Sequence, residues 1–425
     1  MKPIILLLSA LLPAPLVPLL SALLQILSPN SIFAGEKPVA DTPAKAAADL
    51  VAADTSGRQI AGRSADDEKL VTESQVASLK LRQDALRKTI AKDMCFPVGT
   101  WGDNLWCLAA LYLNEKGDEA NARLLKRAKD YIASNPANSP RTLPEAPGNL
   151  PWTFFSVTDY VRTLCLFHSK SPHFPGRLKP ETEAAMKEAL WLWVRGESRL
   201  ADVGMDDLLL LLGTENHDLN RRPSYYLITA LLKDDPAYCD RKLTDGHTVA
   251  EHADAYTAFY REWPRKRAET GLWVEVGSNG YQKYSWPGLF NLHELSPDSV
   301  IRKRFGLLID LAFIEEEQIS VHGRRGGGRS RAYPGANAFE SYKNLFYATI
   351  GRPGGSSHSR VIETCRYQLP PEAIFLRYSA FPAAQPFVIR NRVLGELESP
   401  RSDEETGQRL AADSALVNYG YRAPH

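Results

Sequence analysis

The chain has 425 residues, of which 44% are hydrophobic, 24% charged and 9% aromatic, with 51 basic against 50 acidic side chains and a formal net charge of +1. Those values exclude a disordered chain, a collagen-like repeat and a polytopic membrane protein. Near-neutral charge also argues against a nucleic-acid binder, and the length is enough to bury a large core without disulfide staples.

The first residues decide the compartment. Lys2 precedes an uncharged apolar stretch over residues 4–27, and SPNSIFAG then offers a small residue, Ala34, before a cut. Basic start, apolar middle and small cleavage residue make a secretory signal. Residues 1–34 are therefore expected to be a signal peptide, and the rest to be exported to the periplasm or the cell exterior. About 20 apolar residues can also span a bilayer, so a retained segment would anchor the protein in the membrane; Pro13, Pro15 and Pro18 interrupt such a helix. Residues 35–73 contain no aromatic residue and are rich in Ala and Asp, which reads as a disordered tether.

From residue 74 the pattern is helical. VASLKLRQDALRKTIAKDM reads as a first amphipathic helix, and residues 101–134 as two helices parted near Gly117. A proline-rich loop over residues 136–151 precedes WTFFSVTDYVRTLCLFHS, apolar on most faces and expected to be an inner helix. PETEAAMKEALWLWVRG opens with Pro180 and two acids, a good helix start. Helices are expected again over 217–233, 249–266 and 296–318, the last being the longest and nearly all apolar from Phe305 to Ile314. Amphipathic helices alternating with apolar ones imply an outer and an inner layer, and no strand–helix alternation points to a doubly wound sheet. After Gly351 the texture changes: EAIFLRYSA and FVIRNRVLGEL read as short strands.

Five cysteines, Cys95, Cys107, Cys165, Cys239 and Cys365, cannot all pair internally, and no C-x-x-C occurs; buried single thiols are expected. His247 and His252 are five apart, on different faces of a helix, so no metal is expected. No cofactor is expected either. GRRGGGRS imitates a phosphate loop, but Arg329 stands where the lysine belongs and a helix rather than a strand comes before it. No G-x-S-x-G hydrolase elbow is present.

Three segments carry candidate chemistry. Gly213-Thr214-Glu215-Asn216-His217-Asp218 joins an apolar run to a new helix. Asn216 and His217 are donors suited to a carboxylate, although Thr214, Asn216 and Asp218 are equally good helix caps. WVEVGSNGYQKYSWPGLFNLHEL gathers Glu275, Tyr281, Tyr284 and Trp286; aromatics beside polar groups suit sugar rings. Finally, Arg324, Arg325, Arg329 and Arg331 stand within eight positions among glycines and without an acid. Guanidinium forks bind carboxylates and sulfates, while the alternative is a solvated loop.

In this order, TENHDL, LFNLHEL and HGRRGGGRSRAY make the chain, over about residues 95–425, resemble exported bacterial proteins related to heparinase II/III-type polysaccharide lyases. The resemblance implies an α/α toroid of helical hairpins over residues 74–350, followed by the start of an antiparallel β domain over 351–425. It implies cleavage of an acidic, uronate-containing polysaccharide or oligosaccharide by β-elimination. Asn216 and His217 would face the uronate carboxylate, and Tyr281 or Tyr284 would transfer the proton. Glu215, Glu275, Trp152 and the four arginines would bind substrate. Two other classes stay open: a glycoside hydrolase using Glu215 and Glu275, and a non-catalytic glycan-binding protein.

Overall fold

The computed structural model describes residues 64–92, 102–134, 154–273, 282–318, 320–321, 324–325, 359–378, 388–394, 397–398, 407–410 and 415–421. The expected signal peptide, most of the expected tether and Cys95 lie outside them. No described helix is long and apolar enough to cross a membrane. The chain divides into two units, Met1–Lys69 and Leu70–His425.

The protein is mainly α. Among the described residues there are eleven α-helices against seven short strands. Helix α1 (Ala65–Ala91) has Asp66, Asp67 and Glu68 in its first turn and Lys88 in its last, matching the helix dipole at both ends. Ser64 caps it: the Asp67 N–H donates to Ser64 Oγ at 3.2 Å, and the Ser64 N–H donates back to Asp67 Oδ2 at 3.1 Å. This corrects the expected tether, which ran to residue 73. At 27 residues α1 also exceeds the 20-residue helix expected to be longest. Missing aromatics made its start look unstructured, but capping and charge are enough to begin a helix there.

Next come α2 (Gly102–Leu113) and α3 (Gly117–Ser134), parted as expected beside Gly117, with Asn114 and Lys116 at positive φ in the turn. They are followed by α4 (Phe154–Phe167), α5 (Pro180–Glu197), strand β1 (Leu210–Leu212) and α6 (Glu215–Leu232). Then come α7 (Val249–Thr270), α8 (Gln282–Leu295) and α9 (Ser299–Gln318).

Named contacts fix the directions of these helices. From α6 to α7, Glu215 meets Arg267, Arg222 meets Phe259 and Tyr226 meets Tyr256, so the two run antiparallel. From α8 to α9, Trp286 meets Phe313 while Gly306 abuts His293, antiparallel again. Alternate helices run the same way: Phe155 of α4 reaches Tyr284 of α8, and about two turns further on Arg162 reaches Asn291 and, one turn beyond, Glu294. Fully buried Trp106, Trp193 and Trp286 fill the interior between them, each a large apolar payload.

Beyond α9, β2 (Ser320–Val321) and β3 (Arg324–Arg325) form a two-residue antiparallel pair. The segment after residue 351 is not all strand. Pro371–Tyr378 is a helix, α11, preceded by the single turn α10 (Val361–Thr364). The strand expected over EAIFLRYSA is thereby corrected. Pro371 presets the first helical φ, and Glu372 and Arg377 match the dipole ends. Those signals outweigh the β-branched and aromatic content that suggested a strand. The segment packs on the helices, with Arg377 paired to Glu317 and the Tyr367 hydroxyl donating to Asp310 at 2.9 Å.

The expected strand over FVIRNRVLGEL is present as β4 (Val388–Leu394), antiparallel to β7 (Ala415–Tyr421). Strand β6 (Gly407–Leu410) pairs with both β1 and β5 (Leu397–Glu398), again antiparallel. These are short ladders, and no β domain emerges from them among the described residues.

Between α5 and α7 lies a chain of buried polar groups. The His252 ring contacts Asp245 Oδ1 through Nε2 at 3.1 Å and Ser198 Oγ through Nδ1 at 3.0 Å, and Ser198 Oγ contacts Tyr256 OH at 3.0 Å. Ser198 and His252 are fully enclosed, so this Asp-His-Ser series is an interior strut and not a nucleophile open to substrate. Burial pushes His252 below its usual pKa, against the pull of Asp245. The unfolded chain therefore binds a proton at His252 that the folded chain resists. That contribution to stability is present above the ordinary histidine range and is lost as pH falls through it. Asp159, raised to about 7 by burial, works in the opposite direction between the ordinary Asp range and pH 7. The quantity to measure is thus a difference: urea midpoints of the wild type minus those of His252→Gln should decline between pH 7.5 and pH 5. A flat difference contradicts the assignment.

Candidate functional site

Three helices of one direction begin at one place. Phe155 is the second residue of α4, His217 the third of α6 and Tyr284 the third of α8. The Phe155 ring joins the other two: its centroid is 5.8 Å from the His217 ring, edge-on, and 5.1 Å from the Tyr284 ring, tilted. A histidine and a tyrosine, 67 residues apart in sequence, therefore flank one phenyl ring at the positive ends of aligned helix dipoles. Such ends favour an anion.

Local sequence puts His217 there. Gly213 has φ 79, and a Cβ on it would sit 3.3 Å from His217 Nδ1. Glycine alone takes that conformation without strain while giving the imidazole room to lie over the turn. Asn220, one turn further along α6, fastens α8 in place. Its amide donates to the Asn216 carbonyl at 2.6 Å and to the Tyr284 carbonyl at 2.5 Å, and its Oδ1 accepts from the Thr158 hydroxyl of α4 at 3.0 Å. One buried amide thus ties together the three helices that carry Phe155, His217 and Tyr284.

The neighbours of His217 are structural. Glu215 is enclosed and paired with the equally enclosed Arg267 at 2.8 Å, and the Arg267 guanidinium lies 5.0 Å from the Trp263 ring centre. Asp218 grips Arg222, at 2.5 Å to Nε and 2.6 Å to the far nitrogen, and accepts the Leu212 N–H at 3.3 Å. Arg222 also donates to the Asp202 and Leu210 carbonyls. Thr214 holds the N-cap position with no side-chain cap bond, so the capping alternative is not what the segment is used for. Asn216 is fully buried, and His217 is half-buried.

The expected site residues therefore separate. His217 and Tyr284 each meet the Phe155 ring; Asn216 is enclosed, and Glu215 is turned to Arg267. Arg324 and Arg325 are described only by their backbone, in the short β2–β3 pair. Trp152, Glu275, Tyr281, Arg329 and Arg331 lie outside the described residues. Sequence reasoning missed Phe155, whose signal was a phenylalanine in the first turn of an apolar helix, and Lys283, which stands beside the named tyrosine. It also missed a polar cluster further along the same helices. There Arg162 donates to Thr364 Oγ1 at 2.7 Å and Asn291 Oδ1 at 3.0 Å, and pairs with Glu294 at 2.5 Å. Burial alone would raise the Glu294 carboxyl, but Arg162, together with His173 and Arg366, more than offsets it and brings it to about 2.

Among the described residues, no group of three or more His, Cys, Asp or Glu side chains is arranged to hold a metal ion. Burial pushes the Cys165 and Cys365 thiols up to about 12, which keeps them protonated and inert. No family model, curated protein or solved structure matches this chain.

Proposed function

We propose that this is an exported polysaccharide lyase that cleaves an acidic, uronate-containing glycan by β-elimination, with His217 and Tyr284 at its centre. The observation that carries the reading is the convergence of these two side chains on Phe155 at the positive ends of three aligned helices. In the proposed reaction a base takes the proton beside the uronate carboxylate. The electron pair left behind forms a carbon–carbon double bond as the glycosidic C–O bond one carbon further on breaks. The departing oxygen then receives a proton. Neutralising the carboxylate is what makes that first proton acidic, and preorganised donors with aligned dipoles suit the task. His217 takes that role, with Asn216 supporting it from behind. Tyr284, or Tyr281 three residues before it, removes the proton as phenolate and returns it to the leaving oxygen.

The wider proposal includes closure of the alternating helices into an α/α toroid and a β domain begun by the C-terminal strands. Arg324, Arg325, Arg329 and Arg331 clamp carboxylates or sulfates of the glycan; Trp152 and Glu275 contact its sugars. A hydrolase reading needs two carboxyl groups facing one bond. Glu215, enclosed and bonded to Arg267, does not favour it.

Incubation with hyaluronan, alginate, polygalacturonate and heparan sulfate tests the proposal. Ultraviolet absorbance of an unsaturated product on at least one of them is expected. Tyr284→Phe should lower kcat by about 10²–10⁴-fold, the range of a lost general acid–base group, with KM little changed. New reducing ends without the chromophore would make the protein a hydrolase. Binding with neither product would make it a glycan-binding protein.

A further inference from the structure

Beside the proposed centre stands a lysine that neither the sequence segments nor the resemblance singled out. Lys283 is the second residue of α8, and its ammonium lies 5.2 Å from the centre of the Tyr284 ring. It is half-buried, burial is the sole influence on it and lowers its pKa, and no described carboxylate acts to raise it. Arg177, which burial also lowers and which lies over the Phe174 ring, is met by the Leu111 and Tyr112 carbonyls at 2.6 Å and 2.7 Å, and two other half-buried cations are paired with carboxylates. Lys187 is held between Glu183 and Asp235, at 2.9 Å and 3.3 Å, and Arg241 is paired with Glu188 at 2.8 Å. Among the described residues the Tyr284 ring face is what lies beside this partly desolvated ammonium, and none of them supplies the carboxylate that normally offsets burial of charge. Its surroundings offer no relief: it sits in the first turn of a helix, the end where a cation is least favoured.

We propose that Lys283 is a substrate-binding residue whose missing counter-ion is a carboxylate of the bound ligand, held beside Tyr284 and His217. This rests on the lyase reading for the identity of the ligand as a uronate glycan, but the anion-binding role of the lysine stands apart from it. In this arrangement the ammonium supplies the full positive charge, while the imidazole and the helix starts supply directed donors. The lysine thereby selects acidic sugars over neutral ones. Arginine would serve the same role in part, because it keeps the charge but not the compact point shape.

Two measurements on the whole chain separate the inference from the reading it rests on. In the first, binding of defined hexasaccharides of galacturonate, mannuronate and hyaluronan, and of their carboxyl-reduced counterparts, is followed by calorimetry for the wild type, Lys283→Gln and Lys283→Arg. Lys283→Gln should weaken the acidic sugars at least tenfold, Lys283→Arg by much less, and neither should alter the reduced sugars. In the second, lysines are reductively ¹³C-dimethylated and titrated with sodium acetate against sodium chloride at matched ionic strength. The Lys283 methyl signal, assigned by its loss in Lys283→Arg, should shift saturably with acetate only. A saturable acetate shift without binding of any acidic sugar keeps the anion-binding lysine and removes the glycan reading. Acidic sugars that bind equally to wild type and Lys283→Gln, with no acetate-specific shift, overturn the inference and leave the glycan reading standing. If neither acidic sugar nor acetate is bound, both fall.

Discussion

Replacing Gly288 by alanine should destabilise the protein by more than about 3 kcal/mol, at or beyond the upper end of ordinary overpacking, or prevent folding outright. In most helix interiors the same change stabilises by roughly 0.5–1 kcal/mol. Here the sign reverses because α6 and α8 touch backbone to backbone. A Cβ on Gly288 would lie 1.7 Å from the Leu219 carbonyl oxygen and 2.9 Å from its carbon. Neither atom is the end of a flexible side chain, so only separation of the helices relieves the clash. The close approach has a sequence cause on the other side too. Pro223 lies inside α6 and lacks the N–H that would bond the Leu219 carbonyl four residues earlier. That oxygen faces the bare Gly288 Cα instead, in the manner of a weak C–H···O contact. Urea denaturation followed by far-ultraviolet circular dichroism measures the loss, and Gly288→Ser should match Gly288→Ala because the Cβ is the cause. A folded Gly288→Ala with a wild-type midpoint would mean that the two helices do not approach as described.

Arg162→Met should cost about 3–5 kcal/mol, the usual penalty for removing one partner of a buried ion pair. The guanidinium is fully enclosed, and it joins α4 to α8 through Asn291 and Glu294 and to α10 through Thr364. Without it, among the described residues, Glu294 keeps the Arg366 N–H at 3.2 Å, the partly exposed Arg366 guanidinium at 3.8 Å and the electrostatic influence of His173. The pH dependence should change sign as well. In the wild type the Glu294 carboxyl is held at about 2, so its contribution is full above the ordinary glutamate range and is lost progressively as pH falls from there through the folded value. In Arg162→Met, burial raises that carboxyl above its unfolded value, so stability should recover as pH falls through the new folded value. The double variant Arg162→Met/Glu294→Gln should be less damaged than Arg162→Met at pH 7. If the double variant lost the sum of the two single losses, the pair would not be coupled.

Some of this architecture was legible in the chain. Pro180 with its acids, the break near Gly117 and the apolar run from Phe305 to Ile314 act locally, and each produced the helix boundary or burial that its chemistry requires. The errors fall where local signals compete. EAIFLRYSA carries strand-forming side chains, but Pro371 and the terminal charges make it a helix. Other features belong to tertiary structure and leave no local trace. Glu215 looked like a free acid, yet its partner Arg267 is 52 residues away. Lys283 looked like any lysine, and only packing shows that it is partly stripped of water. His217 and Tyr284 were both picked out, but nothing in their spacing brings Phe155 between them.

The common direction of α4, α6 and α8 has an evolutionary consequence. Phe155 and Arg162 are seven positions apart on α4, about 10 Å along the axis. One end of the trio holds the groups suited to the proposed chemistry, and further along lies the Arg162–Glu294 clasp that joins α4 to α8. If the proposed function holds, a lineage could exchange the peptide leading into α4 or α8 and so adopt a new glycan, while the clasp went on holding the scaffold unchanged. Specificity and persistence are inherited separately in such a design, and drift in the first need not endanger the second.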